Sequence, residues 1–432
     1  MLIDSTTLSD LEVFGAADGS GGLFQLVDRT ATSRGRAALR RRFESPPSDL
    51  DTIRRTQEAV RFLQLYPDVL GFDEPSLQAV EWYFRSNIAV SAASPLGVPA
   101  EHAWMSLRYR DLLIELRVGV RATVALFTKV SQVCASLGEL DAPPIIAEPV
   151  GRLMAAADMV RMARSEAGSL LRLDRTLRTE CKDGIEHALD LLAELDALNA
   201  MAVATSSFDW VMPDLVDSDT FSLDAEGVFH PFLERAVANP ARLSGAEPMV
   251  FLTGPNMAGK TTYLRSVALI VLLGQIGMGV PASRVRFTPV EALFTSLNPT
   301  DNLRAGLSYF LAEVMRVKQA ASMLADGRRA LVVFDEVFKG TNVRDALDAS
   351  AEVILGFARA RGSGFIVSSH LADLVEVLES SPAIRFCYFD GDIVHNAPRY
   401  TYQLREGVSD KRLGLALLRQ AGIPELLARI SA

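Results

Sequence analysis

The chain has 432 residues, 49% hydrophobic and 22% charged, with 44 Lys plus Arg against 53 Asp plus Glu and a formal net charge of −9. At a typical ~150 residues per domain this length allows about three domains, or two if one is large, and the hydrophobic fraction excludes a wholly disordered chain. The acidic balance argues against a protein that coats nucleic acid through an overall positive charge, while leaving room for local basic patches.

Residues 23 to 130 place apolar side chains at helical spacing, from Leu23, Leu26 and Val27 through Ala37, Ala38 and Leu39 to Ile53, Val60, Phe62 and Leu63. Charges fall between them, the pattern of amphipathic helices. The break Ser45-Pro46-Pro47-Ser48-Asp49 ends one helix and offers an N-cap for the next. A second break, Asp141-Ala142-Pro143-Pro144, precedes residues 151 to 203, whose Ala-, Leu- and Arg-rich texture predicts one or two long helices. Near residue 205 short β-favouring runs begin: Met249 to Thr253, Ala330 to Phe334 and Gly364 to Ser368. Helix-period segments 260–276, 308–325 and 343–360 alternate with them, which points to a mainly parallel sheet covered on both faces. The expected fold class is therefore α plus α/β, an all-helical region followed by an α/β region, with the boundary around residues 205 to 235.

Other classes drop out on simple grounds. Cys134, Cys181 and Cys387 are far apart and odd in number, so a disulfide framework or zinc ribbon is not expected. Residues 1 to 10 contain Asp4 and Asp10 and no basic stretch, unlike a signal peptide. The longest apolar run, Val267 to Val280, is shorter than the ~18–20 residues that span a bilayer and is interrupted by Gln275 and glycines, so it reads as a buried helix. A cytoplasmic protein with no membrane partner is the expectation.

The clearest chemistry lies where Met249-Val250-Phe251-Leu252-Thr253 runs into Gly254-Pro255-Asn256-Met257-Ala258-Gly259-Lys260-Thr261-Thr262. This is G-x-x-x-x-G-K-[ST] between a strand and a helix, the context expected of a phosphate-binding P-loop. Glycines let backbone N–H groups turn towards phosphate oxygens, and the helix N-terminus adds its dipole. Lys260 would neutralise the β- and γ-phosphates of ATP, and the Thr261 hydroxyl would ligate Mg²⁺. Ala330 to Phe334 ends in Asp335-Glu336, where Asp335 suits the Mg²⁺ shell and Glu336 suits activation of the attacking water. Gly364 to Ser368 leads to Ser369-His370, and His370 stands where it could sense the γ-phosphate.

Together these motifs, with Tyr263-Leu264-Arg265, Val280-Pro281-Ala282 and Phe334-Asp335-Glu336-Val337-Phe338-Lys339-Gly340-Thr341, resemble the ATPase domain of the DNA mismatch-repair MutS family. The Pro-Asn-Met insertion at 255–257 carries most of the likeness, which covers roughly residues 228 to 430 and begins at Gly227-Val228-Phe229-His230-Pro231. Upstream, Leu23-Phe24-Gln25-Leu26-Val27-Asp28-Arg29-Thr30-Ala31-Thr32-Ser33-Arg34-Gly35 resembles the start of the family's helical core, and Leu192-Ala193-Glu194-Leu195-Asp196-Ala197-Leu198-Asn199 its final helix. The resemblance implies an N-terminal extension at 1–22, a helical core or lever at 23–210, a P-loop (ABC-type) ATPase domain at 211–405 and a C-terminal helical dimerisation module at 406–432. It also implies a head-to-tail homodimer in which each ATP site is completed by the partner's signature segment, here Ala305-Gly306-Leu307-Ser308-Tyr309-Phe310, with Ser308 facing the γ-phosphate. Asn342 and Asp345 fall where the family couples its two sites.

The departures are informative. Phe338 and Ala346 stand where the family usually has Gly, and Ala236 takes the place of an aromatic that stacks on adenine. The loss of that stack bears on base selectivity and costs roughly 0.5–1.5 kcal/mol. The sequence reaches the helical core by about residue 23, so the reading expects lever and motor without the family's mismatch wedge and connector, and with little space for a clamp. DNA contact would then fall to local basic patches. Residues 23 to 62 carry nine Arg against five acidic residues, with Arg34, Arg36, Arg40, Arg41 and Arg42 close together. Two functions remain open at this point: an ATP-dependent DNA-binding protein, with a repair or recombination protein as a further partner, or a nucleotide-gated dimer that recruits a protein without touching DNA. A transporter motor fits less well, because the segment around Ser308 lacks the Gly-Gly-Gln of those signature loops.

Overall fold

A computed structural model describes residues 1–15, 19, 21–67, 69–71, 74–86, 110–297, 309–338, 342–360, 362–370, 373–394, 397–408 and 423. Ser308, residues 339–341 and nearly all of the expected dimerisation module at 406–432 lie outside them. The contacts divide the chain into two compact units. One comprises Val27–Arg42 and Arg55–Ser207; the other comprises Met1–Leu26, Phe43–Arg54 and Phe208–Ala432.

The first unit is helical. Its long members are α6 (Arg110–Gly138), α7 (Pro144–Ala167) and α9 (Lys182–Ser207), with the shorter α8 (Leu170–Thr179) between the last two. Earlier in the chain, α3 (Ser33–Glu44), α4 (Leu50–Leu65) and α5 (Glu74–Arg85) lie wholly or mostly in this unit, whereas α1 (Ser5–Asp10) and nearly all of α2 (Leu23–Val27) belong to the other. Where the sequence predicts one or two helices after Pro143, there are three. The chain leaves α7 through Gly168 at φ 63°, a left-handed position open to glycine, and restarts at Ser169, whose hydroxyl accepts from the Arg172 N–H at 3.3 Å.

One buried carboxylate explains the two stretches that resemble the family's helical core. Asp196 on α9 accepts from the Ala31 and Thr32 N–H groups, each at 3.0 Å, and from the Thr32 hydroxyl at 2.6 Å. It thereby supplies both hydrogen bonds and negative charge at the start of α3, where helix N–H groups lack partners. A Cβ on Gly35 would sit 2.0 Å from the Asp196 Oδ2 atom, so glycine is required by the close approach. Burial pushes the Asp196 carboxyl up from its ordinary range, against the hydrogen bonds that favour the charged form.

The second unit holds two sheets. The smaller runs β1 (Asp214–Leu215), β5 (Arg284–Phe287), β2 (Leu223–Val228), β3 (Asn239–Leu243). The larger runs β10 (Ala397–Glu406), β9 (Ile384–Val394), β4 (Met249–Thr253), β8 (Gly364–Ser368), β7 (Ala330–Asp335), β6 (Ala292–Ser296). Its five strands from β9 to β6 are parallel and only β10 is antiparallel. Strands β4, β6, β7 and β8 are buried along their whole lengths, which is why they read as continuous apolar runs without alternation. Helices α10 (Lys260–Gln275), α11 (Tyr309–Ala325), α12 (Val343–Ala358) and α13 (Asp373–Leu378) follow the strands. The 267–280 run is a buried helix as expected, although it stops at Gln275. That glutamine is buried and satisfied: its amide donates to the carbonyls of Pro47 and Val290, both at 2.8 Å. No helix among the described residues is long and apolar enough to cross a membrane.

The first residues belong to the same compact unit as these sheets. Leu2 bridges Ala292 in parallel, extending the sheet past its β6 edge. The Asp10 carboxylate accepts from the Thr295 hydroxyl at 2.8 Å and the Leu297 N–H at 2.9 Å, and Arg316 on α11 pairs with Asp4. An edge strand presents unpaired backbone groups, and this segment covers them.

Candidate nucleotide site

Strand β4 ends at Thr253 and α10 begins at Lys260, so residues 254–259 form a six-residue loop between a buried strand and a helix N-terminus. Two glycines there are obligatory. Gly254 sits at φ 135° with its absent Cβ 2.7 Å from the Phe389 carbonyl oxygen, and Gly259 sits at φ 104°. Met257, also left-handed at φ 67°, projects outward and is 76% exposed. No side chain caps the helix start, so its N–H groups remain available to an anion.

Lys260 is 5% exposed, and its ammonium donates to the carbonyls of Gly254 at 2.8 Å and Pro255 at 3.2 Å. Glu336 Oε1 lies 3.9 Å from the same nitrogen. The Thr261 hydroxyl donates to one oxygen of Asp335, and the Ser368 hydroxyl donates to the other. The parallel register sets Asp335 opposite Ser368, so the end of β8 positions the carboxylate at the end of β7. Glu336 adopts φ 53°, a left-handed conformation that a non-glycine residue holds at a cost of about 1–3 kcal/mol and that clusters at functional sites. Its second oxygen lies 3.5 Å from His370 Nδ1.

These groups share a cavity of about 710 Å³, within the ~300–1,000 Å³ typical of small-ligand sites. Asn256, Met257, Gly259, Lys260, Thr261, Thr262, Asp335 and Glu336 line one end, while Gly254, Pro255 and the buried Ala258 back the loop. His370 reaches the site only through Glu336. Lys260, Thr261, Asp335, Glu336 and His370 are thus brought together, and Ser308 lies outside the described residues.

The other end of the cavity contains two positions singled out in the sequence, His230 and Ala236, together with Tyr402 and Asn239, which no motif marked. Ala236, Val237, His230 and Tyr402 line it. Asn239 fastens this end: its amide donates to the Tyr402 carbonyl at 2.9 Å, and its oxygen accepts from the Leu404 N–H at 2.7 Å. Tyr402 sits at φ 56° beside an irregularity in the β9–β10 pairing, a position no sequence signal marks. His230 is 6% exposed with its Nε2 unpartnered; burial, and secondarily the Arg265 charge, lower its pKa to about 4. It is a neutral imidazole at pH 7.

The two glycine departures have distinct outcomes. Phe338 holds φ 63°, so the position needs the left-handed conformation that glycine takes at no cost; here the buried ring packs on Phe310 with centroids 5.6 Å apart. Ring burial, worth roughly 1.5–3 kcal/mol, offsets a backbone cost of about the same size. Ala346 is simply buried in α12. Asn342 caps that helix, its oxygen accepting from the Asp345 N–H at 2.9 Å.

The residues present fit a nucleoside triphosphate with Mg²⁺. The loop admits close approach of backbone to phosphate, Lys260 supplies a compact cation, and the Thr261 hydroxyl and Asp335 carboxylate are hard oxygen donors. Among the described residues there is no cluster of three or more His, Cys, Asp or Glu. Mg²⁺ asks for less, since one or two protein oxygens with phosphates and water complete its shell.

Two family models match the chain. MutS domain V matches residues 250–431, and MutS domain III matches residues 6–80. A DNA mismatch repair protein MutS of Dinoroseobacter shibae is 27% identical over 98% of this chain and 60% of its own length. The MutS of Natronomonas pharaonis is 33% identical over 58% of this chain and 30% of its own length. The chain therefore spans less than two thirds of the length of each of these relatives. With both domain matches in sequence order and similarity along nearly its whole length, the chain belongs to the MutS family.

Proposed function

We propose that this protein is an ATP-dependent DNA-binding member of the MutS family, a Mg²⁺-dependent ATPase that acts on DNA. The observation that carries the reading is the convergence of Lys260, Thr261, Asp335 and Glu336 at one end of a single cavity. The loop N–H groups and Lys260 hold the β- and γ-phosphates. Thr261 and Asp335 would hold Mg²⁺, which would supply charge neutralisation at the phosphates. Glu336 takes the proton from the water that attacks the γ-phosphorus as the bond to the bridging oxygen breaks, giving ADP and phosphate. His370, against the Glu336 carboxylate, orients that base and registers whether the γ-phosphate is there. Ser308 of a second copy completes the site in a head-to-tail homodimer. Purified protein should hydrolyse ATP with Mg²⁺, and Lys260→Ala should lower turnover about 10²–10³-fold, the scale for removing one charge-stabilising donor. Full turnover in that variant would remove the assignment.

One observation favours the second reading, a nucleotide-gated module that recruits a protein and not DNA. The arginine cluster expected to face DNA is neutralised from within. Arg34 pairs with Glu81 and with Asp190 at 2.8 Å, Arg36 with Asp28 at 3.0 Å, and Arg41 and Arg42 each meet Glu194 at 3.0 Å. Titration of single-stranded, duplex and branched DNA with and without ATP separates the two readings, because phosphate contacts weaken steeply with salt.

A further inference from the structure

A different part of the helical unit gathers positive charge on one concave surface. Helices α6, α7 and α8 enclose a groove of about 690 Å³. Arg121 and Lys129 reach it from α6 and Arg164 from α7, and no carboxylate is among its lining residues. On the outer face of α7, Arg161 pairs with Asp158 at 2.8 Å. Among the described residues neither Arg121 nor Arg164 takes part in an ion pair or a side-chain hydrogen bond. An ordinary solvated helix face interleaves signs; here cations from two helices converge on one concave surface.

The lining chemistry selects the ligand. Val120, Val124 and Leu173 give an apolar floor along which arginine methylenes can lie while their guanidinium groups stay at the surface. Thr128 and Gln132 add neutral hydrogen-bonding groups. No aromatic residue lines the groove, so it offers no platform on which unstacked bases could rest, as single-strand binders require. Arg121 and Lys129 are eight residues apart on one helix, about 12 Å at 1.5 Å per residue, comparable to the ~12 Å width of the duplex major groove. We propose that this groove between α6, α7 and α8 receives the phosphate backbone of duplex DNA, with Arg121 and Arg164 as its principal contacts. The inference rests on the DNA-binding reading above and moves the contact surface away from the 34–42 cluster.

The test uses the full chain with ATP and Mg²⁺ and a labelled duplex titrated across a salt series. Reversing both charges, Arg121→Glu with Arg164→Glu, should weaken binding more than tenfold at low salt and make the log–log salt slope shallower by about 2, near 0.9 per lost phosphate contact. The Arg121→Lys/Arg164→Lys protein should keep the slope, and Arg41→Gln/Arg42→Gln should leave both affinity and slope unchanged. Thermal unfolding of each variant separates lost contact from lost fold. If the unaltered protein binds duplex DNA and the double reversal leaves affinity and slope intact, the groove assignment is overturned while the DNA-binding reading stands. If the unaltered protein binds no DNA, both are overturned. Binding of polyglutamate in the same groove without binding of duplex would overturn the choice of nucleic acid as the ligand.

Discussion

The glycine loop at 254–262 and the arginine cluster at 34–42 are both dense local signals, and they fared differently. The loop's meaning is contained in its own neighbourhood: Gly254 and Gly259 fix the turn, Lys260 folds back on the Gly254 and Pro255 carbonyls, and the flanking strand and helix hold the ends. The arginine cluster takes its meaning from partners elsewhere. Glu81, Asp190 and Glu194 lie 47 to 156 positions away, and they turn an apparent basic surface into an ion-pair network inside the helical unit. A motif that acts through backbone conformation is legible locally, whereas a charge patch acts through a net field that distant residues can cancel.

That contrast can be broken or sharpened by experiment. The largest effect is expected at Glu336. Glu336→Gln keeps the shape and removes the base, so ATP should still bind while single-turnover hydrolysis falls about 10²–10⁴-fold. Unchanged turnover would mean that the left-handed strain at Glu336 serves something other than water activation.

His230 tests the end of the cavity away from the glycine loop. Its folded pKa of about 4 lies below the ordinary 6.5, so above pH 6.5 the imidazole is neutral in both states and its titration does not affect stability. As pH falls from 6.5 towards 4 only the unfolded chain takes up the proton, so stability is lost, by roughly 3 kcal/mol in all. In His230→Phe that share of the acid-side loss should vanish, read as a flatter dependence of urea midpoints on pH; an identical profile would show that the imidazole titrates normally.

Asp196 and Glu194, two residues apart on α9, probe the helical unit. Asp196→Ala strips the start of α3 of three hydrogen bonds and should cost about 2–3 kcal/mol in denaturant unfolding, near the upper range for bonds to a charged group. A loss below 0.5 kcal/mol would show that α3 is held by packing alone. The smallest change is expected for Glu194→Gln. Its partners Arg41 and Arg42 are partly exposed, so stability should move by less than about 1 kcal/mol. Its value is electrostatic: if releasing those two arginines raises DNA affinity, internal neutralisation is what keeps the cluster silent.

The fold was readable to different depths. The switch from helices to a parallel sheet near residue 205 followed from texture, because strands buried on both faces must be apolar throughout. Strands β9 and β10 were missed, since residues 384–406 mix charged, aromatic and small residues at a sheet edge. The docking of residues 2–10 on β6 was missed because Thr295, Leu297 and Arg316 lie some 285 or more positions from their partners. Glycines were read well where they open a turn. At position 338 the left-handed conformation persists although the residue is phenylalanine, and only the structure displays it.

By itself the sequence determined the loop 254–262, the Asp335-Glu336 strand end and the order of a helical half before an α/β half, because each depends on the conformational limits of residues adjacent in the chain. Tertiary structure alone decided which charges remain available. It paired Arg34, Arg41 and Arg42 with carboxylates on distant helices and Arg36 with nearby Asp28, left Arg121 and Arg164 beside a groove lined by no carboxylate, and brought Tyr402 and Asn239 together at the far end of the cavity. Coulomb energy and hydrogen bonding depend on distance in space, and only the packing of the chain sets those distances.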